Sequence, residues 1–312
     1  MRILLTGVTS FSGVHFAYEF LKQGHQVTGF SRNEKNWNLD QVDRIKWIKT
    51  EFPEFSIRNI NELNTSMKFD LICLHGAFVQ DYKSVDFDIQ EAVEKTKRVA
   101  NDILQLFPEA AVLHTGTFSE PNESAGETPR LSFNPYSTSK SLAWNQLVDN
   151  YASSRRLSKY VMPNPFGPLE SKRYVDSLLK HWGQGKVPRI NFPFHIRDNV
   201  PIDLLRRHYV SSAQDFLASA EEELQIVFRP SLYVESVLSF TQRYIREIQN
   251  RTSLKLTYTT DLQAVYTEPI VRVNTQNCLI RVQDWIEEES WNGTVSNAIN
   301  RLELYSSIKN NS

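Results

Sequence analysis

The spacing of apolar residues changes period three times in the first thirty positions. Ile3-Leu4-Leu5 is a short apolar run and predicts a buried strand. A turn of small residues follows, Thr6-Gly7-Val8-Thr9-Ser10-Phe11-Ser12-Gly13. From Val14 to Gln23 the apolar and aromatic positions are Val14, Ala17, Tyr18 and Leu21, which share one face of a helix. Gly24 ends that helix, and Gln26 to Ser31 predicts a second strand. Strand, glycine turn, helix and strand make half of a dinucleotide-binding unit. Gly7 lets the chain turn tightly off the strand, and Gly13 lets the helix lie close to the sheet. The unpaired N–H groups and the positive dipole end of the helix would then face a pyrophosphate. Even glycine spacing calls for a glycine at position 10; Ser10 carries a Cβ there, which makes backbone approach to the phosphates less free.

Further along, residues 33 to 68 are polar, with a third strand expected at Ile45-Lys46-Trp47-Ile48 and loop or short helix around Pro53 and from Asn59 to Met67. Phe69 to His75 predicts a fourth strand ending in Gly76-Ala77, small residues that leave room for a cofactor ribose. Cys73 reads as core, and His75, at the strand end, as a packing residue rather than a base. Asp88 to Phe107 predicts a long helix with a solvated charged face. Ala110 to His114 predicts a fifth strand that delivers Thr115-Gly116-Thr117 into a loop. Residues 119 to 135 carry no regular pattern, as suits a loop beside a site. A helix is expected from Tyr136 to Ser153, another over Tyr174 to Trp182, and a third over Phe240 to Asn250. Val187 to Ile202 reads as irregular chain; Leu254 to Thr259 and Ile270 to Val273 alternate as strands. The last forty residues read as a terminal helix or an oligomer contact.

Composition adds exclusions. The 312 residues have room for one large domain or a domain plus a lobe. A formal net charge of −1 gives no global pull toward nucleic acid or anionic membrane. The two cysteines, Cys73 and Cys278, argue against a disulfide framework or a cysteine-built metal site, and no metal is expected. No apolar run is long enough to span a bilayer, and the chain enters its first strand at once; a cytoplasmic enzyme is the expectation.

The candidate chemistry lies mid-chain. Tyr136 and Lys140 are four residues apart, so on a helix they lie one turn apart on one face. A lysine ammonium beside a phenol favours the phenolate, and a tyrosine so poised can pass a proton to or from a substrate oxygen. Lys140 can also hold a ribose hydroxyl, and Thr117 can hydrogen-bond the same substrate oxygen. At the end of the second strand, Ser31-Arg32 stands where a carboxylate would repel a ribose 2′-phosphate. A hydroxyl beside a guanidinium suits that phosphate, so NADP(H) is favoured over NAD(H). Lys172, Arg173, Arg189 and Arg197 fall on predicted loops, where some could hold a diphosphate.

The glycine turn, a threonine at a strand end and Tyr-x-x-x-Lys opening a central helix occur here together. With Asp70 to Ala77 and Asn164-Pro165-Phe166-Gly167-Pro168, these segments resemble the extended short-chain dehydrogenases/reductases of the NAD-dependent epimerase/dehydratase family, over about the first 170 residues. The likeness is thinner beyond, where Arg207-His208-Tyr209-Val210 resembles the family's phosphate-contacting arginine. The resemblance implies an α/β fold, a Rossmann-type doubly wound parallel sheet with a smaller C-terminal lobe. Residues 1–165 would bind the dinucleotide, with a return segment near 203–230, and residues 166–312 the substrate. It implies Thr117, Tyr136 and Lys140 as catalytic residues. Cofactor contacts would come from Gly7, Ser10, Phe11 and Gly13 in the turn, and from Ser31 and Arg32 at the adenosine end. His75, Gly76, Ala77, Tyr136, Lys140, Pro163 and Asn164 complete that set. Thr117, Asn164, Arg197, Arg207 and Arg229 would meet a substrate, a nucleotide sugar oxidised, reduced or epimerised at a ring carbon. A homodimer is the expected assembly. Three departures stand out: Ser10, Val161 where the family often has arginine, and Phe118-Ser119 where its dehydratases carry Asp-Glu, which counts against dehydration. A reductase of a small ketone and a cofactor-binding regulator without turnover are the alternatives.

Overall fold

The computed structural model describes residues 1–32, 36–78, 84, 86–123, 125–126, 132, 134–219, 225–261, 269–277 and 282–310. Cys278, Asn33 and much of the segment between 124 and 133 lie outside them.

The chain alternates strand and helix through its first half: β1 (Arg2–Thr6), α1 (Phe11–Lys22), β2 (Gln26–Phe30), α2 (Leu39–Glu51), β3 (Ser56–Arg58), β4 (Leu71–Leu74), α3 (Ile89–Leu106), β5 (Ala111–Thr117), β6 (Ala125–Gly126), α4 (Pro135–Tyr151) and β7 (Leu157–Met162). β8 (Asn164–Phe166), α5 (Tyr174–Gly183), β9 (Arg189–Ile190), β10 (Ile196–Pro201), α6 (Ile202–Ala218), β11 (Gln225–Phe228), β12 (Pro230–Ser231), β13 (Tyr233–Ser236) and α7 (Val237–Arg251) follow. β14 (Thr259–Thr260), β15 (Arg272–Val273), β16 (Gln276–Asn277) and α8 (Glu287–Asn310) close it.

Seven strands form one parallel sheet in the order β11-β7-β5-β4-β1-β2-β3. The order reverses between β1 and β4, which opens a crevice over their carboxyl ends. The strands are near-continuous apolar runs because both faces are covered. On one face α1 and α6 pack together, with Phe16 stacked on Tyr209 at 3.8 Å and Phe20, Val14 and Phe216 buried around them. On the other, α3 and α4 bury Ile103, Leu104, Trp144 and Leu147. β11 returns to the sheet edge beside β7, long after it in the chain. A three-stranded sheet, β13-β10-β8, and a separate core of Phe166, Phe240, Tyr244, Trp291 and Val295 build the lobe.

Three expectations are corrected. Residues 45–48 are not a strand: they lie in α2, which a reciprocal Asn38–Gln41 capping box starts and which buries Ile45 and Ile48, three apart, on one face. The third strand is Ser56–Arg58, too short to announce itself. Residues 187–202 are not irregular throughout, since β10 is the centre of the lobe sheet. Its Pro201 is the last residue of the strand and stands at the N-cap position of α6, with no side-chain cap. Of the strand expected over 254–259 only Thr259 pairs, with β9. The last forty residues contain a 24-residue helix, α8, which buries Trp291 and Val295 in the lobe core. Among the described residues no helix is long and apolar enough to cross a membrane.

Candidate active site

The glycine turn is built by close backbone approach. Gly7 has φ +67°, and a Cβ there would stand 2.7 Å from the Cα of Gly76; a Cβ on Gly13 would stand 2.2 Å from the carbonyl oxygen of Gly7. The turn off β1 is thus pressed against the chain leaving β4, and Gly76 N–H donates to Thr6 Oγ1 at 2.8 Å. Ser10, where glycine was the alternative, is the N-cap of α1: its Oγ accepts from Gly13 N–H at 3.0 Å. The same oxygen lies 3.2 Å from His75 Nε2, and Ser12 Oγ lies 3.0 Å from it. Burial, with Lys140 nearby, pushes the His75 pKa down to about 3, so the ring is neutral. The side chain of Phe11 belongs to the core beside His15. Phe11 and Ser12 open α1, so their N–H groups have no intrahelical acceptor. Those donors, with no Cβ on Gly7 or Gly13 to block them, fit a dinucleotide's diphosphate.

Tyr136 and Lys140 sit on α4, whose start is set by Asn134 capping Ser137 N–H at 3.0 Å and by Pro135 at the first helical position. Lys140 is 4% exposed and its Nζ donates to the carbonyl of Thr115 on β5. Burial pulls its pKa down to about 8, opposed by Glu120 and aided by Lys159. Thr117 ends β5 two residues on; its N–H donates to Glu120 Oε1 at 2.7 Å, and its Oγ1 is 3.0 Å from Ser119 Oγ. Ser137 Oγ joins this line of hydroxyls, 2.8 Å from Ser119. Tyr136 is half-buried, its ring edge-on to Phe87 at 6.1 Å.

The lobe carries an open cavity of about 320 Å³. Asn164, Phe166, Glu170, Arg173, Tyr174, Arg189, His195 and Arg197 are among its lining residues. Arg197, buried on β10, donates to the carbonyls of Ile196 at 2.9 Å and of Pro269 and Ile270 at 2.8 Å. Burial raises the Glu170 pKa to about 7.

Residues 3–192 match the NAD dependent epimerase/dehydratase family. The chain belongs to that family. No curated protein matches the chain by sequence. Solved structures match it end to end at low identity. UDP-glucuronic acid 4-epimerase from Bacillus cereus, in complex with UDP-glucuronic acid and NAD, is 18% identical with a TM-score of 0.71, covering 96% of this chain and 99% of that one. UDP-glucose 4-epimerase from Bifidobacterium longum, bound to NAD+ and UDP, is 14% identical with a TM-score of 0.70, covering 97% and 99%. The UDP-Glc/GlcNAc 4-epimerase from Campylobacter jejuni is 14% identical with a TM-score of 0.69, covering 96% and 99%. At such identities the likeness is one of fold.

Within this epimerase/dehydratase frame, the structure brings some of the predicted residues together and not others. The turn residues, His75, Gly76, Lys140 and Thr117 lie around the carboxyl ends of β1, β4 and β5; Ala77 follows Gly76 directly. Pro163 is buried between β7 and β8, and Asn164 opens β8 at the cavity. Ser31 Oγ accepts from the Trp37 indole at 3.0 Å, and Arg32 is exposed beside it. Arg58, unforeseen, ends the neighbouring β3, its carbonyl accepting from Ser31 N–H at 3.0 Å. Arg207 does not reach the cavity: it lies on α6, and its Nη1 donates to the Asp284 carbonyl at 3.2 Å. Arg229 is bound to Glu123 at 3.0 Å. Glu123 also pairs at 2.6 Å with buried Lys159, which pairs with Glu120 at 2.7 Å. This ion network under Thr117 joins residues 39 and 106 positions apart, so no local motif signals it. Glu170 and His195 were also missed; Arg173 and Arg189 were visible only as scattered cations.

Proposed function

We propose that this family member is an NAD(P)-dependent enzyme that moves hydride at a carbinol or ketone carbon of a nucleotide sugar, with net epimerisation or reduction. The observation that carries the reading is Lys140, docked on the strand that ends in Thr117. The same lysine is close enough to His75, which follows β4 and touches Ser10 and Ser12 of the glycine turn, to help depress its pKa. One crevice therefore holds a diphosphate cradle and a Thr-Tyr-Lys set. A bound nicotinamide would supply the hydride carrier. Tyr136 moves the proton of the substrate hydroxyl, and Thr117 fixes that oxygen. Lys140, cationic at neutral pH, favours the phenolate one turn away and holds a ribose hydroxyl. The lobe cavity would take the nucleotide, with Arg197 and Asn164 in its lining the candidates to meet it; Arg207 and Arg229 are weaker candidates because they do not line it. UDP-sugars in the similar epimerases support this class of ligand.

Preference for NADP(H) belongs to the same proposal, supported by Ser31, Arg32 and Arg58 at the ends of β2 and β3. So does the division into a dinucleotide-binding unit, residues 1–165 with a return near 203–230, and a substrate lobe, residues 166–312. A homodimer in the cytoplasm is the accompanying expectation. The deciding experiment is a titration of UDP-, GDP-, CDP- and dTDP-sugars in the presence of NAD or NADP. One of them should bind far better than inorganic phosphate and turn over. If none does, the nucleotide-sugar reading falls.

A further inference from the structure

We infer that His75 is a positioning residue for cofactor binding: its Nε2–H holds the oxygens of Ser10 and Ser12, and so turns both hydroxyl protons toward the anion bound at the start of α1. This rests on the dinucleotide reading above and adds to it a residue that sets the polarity of the cradle.

His75 is the first residue after β4, and its ring lies edge-on to Phe16 at 5.1 Å. Its Nε2 stands between the two serine hydroxyls, at 3.2 Å from Ser10 Oγ and 3.0 Å from Ser12 Oγ. Its Nδ1 is enclosed and has no hydrogen-bond partner among the described residues. A neutral imidazole has one N–H to place. On Nδ1 it would be a buried donor without an acceptor, the rarer and costlier defect. On Nε2 it is shared by two hydroxyl oxygens, and Nδ1 keeps only an unused lone pair. The hydrogen-bond network therefore selects the Nε2–H tautomer.

The serine hydroxyls follow from that choice. Ser10 Oγ accepts from Gly13 N–H at 3.0 Å and from His75 Nε2–H, which uses both lone pairs. Its remaining capacity is its own proton, which must point away from both. Ser12, at the second position of α1, takes the same N–H on its Oγ, so its proton too points away from the imidazole, with one lone pair left over. Beside the N–H groups of Phe11 and Ser12 the result is a cradle of donors. With the other tautomer both hydroxyls would donate to Nε2 and present lone pairs to the phosphates. The serine at position 10, where glycine spacing called for glycine, thus compensates for its Cβ with a directed hydroxyl.

The tautomer is read directly from the ¹⁵N–¹H two-bond correlation spectrum of the full chain labelled with ¹⁵N-histidine, with His75 assigned by its absence from His75→Gln. A protonated Nε2 and a bare Nδ1 at neutral pH are expected. A protonated Nδ1, alone or in an imidazolium, overturns the inference, and this arm needs no variant to be functional. Binding is followed by titration with NADH and with ADP-ribose. His75→Leu, which lacks the donor, should weaken both about tenfold, the effect of one poorly served buried polar contact. His75→Gln carries an N–H where Nε2 stands and should stay within about threefold of wild type. Combining His75→Leu with Ser12→Ala should be no worse than the stronger single change, because both remove one device. Undiminished binding by His75→Leu, no rescue by glutamine, or additive losses would each overturn it. A wild-type chain that binds neither ligand sinks the dinucleotide reading itself, a separable outcome.

Discussion

The crevice over β1, β4 and β5 and the cavity of the lobe are built in opposite ways. In the crevice the elements that carry the functional groups are started or ended by near neighbours in sequence: Ser10 caps the helix it starts, Asn134 caps the helix that carries Tyr136 and Lys140, and Thr117 ends its strand. In the cavity, Asn164, Glu170, Arg189 and Arg197 come from β8, the chain before α5, β9 and β10, and are joined only by the packing of those pieces. Locally built sites keep a motif. Sites assembled from distant pieces do not, because their geometry is held by tertiary contacts that many sequences can supply.

Four experiments break or sharpen that contrast. The largest effect is expected at Tyr136→Phe, which removes the proposed proton carrier and leaves the proposed cradle intact: kcat should fall by roughly 10²–10⁴-fold with NAD(P)H affinity unchanged in a fluorescence titration. Unaltered turnover would take Tyr136 out of the mechanism.

Next comes the cavity. If Arg197 meets a diphosphate, Arg197→Ala loses a charge-assisted bond of about 1.5–3 kcal/mol and weakens the nucleotide sugar tenfold or more. Arg207→Ala, whose guanidinium donates to the Asp284 carbonyl, should leave that affinity alone. Calorimetric titration of both variants decides, and the reverse ranking would return Arg207 to the site.

A third effect follows pH. The folded Lys140 titrates at about 8, below its ordinary 10.5. Between those values the unfolded chain holds a proton that the folded chain has released, so stability rises with pH through that window. Denaturant unfolding from pH 7 to 10 should show the rise, and Lys140→Met should flatten it. Turnover has the opposite sign, falling as the ammonium that supports Tyr136 is lost.

The smallest effect is expected at the exposed Arg32. Arg32→Ala should weaken NADP(H) by several-fold and NAD(H) hardly at all, since a screened surface pair is worth about 1 kcal/mol or less. Tighter binding of NAD(H) by the wild type would remove the preference.

Residue order alone determined the parallel α/β fold and the family. It also determined the place of the turn: Gly7 and Gly13 stand where a Cβ would strike backbone, and Val14, Ala17 and Leu21 mark the helix face. It brought Thr117, Tyr136 and Lys140 forward as a set, because strand ends and helix starts are written in short-range signals. It misread Ile45 to Ile48, where four residues look alike in a strand and a helix and a capping box seven residues upstream decides. It could not see β10, whose status depends on pairing with β8 and β13. Among the arginines it put Arg207 first, on the resemblance alone, with Arg197 and Arg229 behind it. Only the tertiary structure put one at the cavity, one on a carbonyl of the Asp284 turn and one on Glu123. The buried Lys159–Glu120–Glu123 network and the His75 bridge between two serines are of the same kind. Each is a contact between residues dozens of positions apart, and a charge or an imidazole acquires its role only from what the fold sets against it.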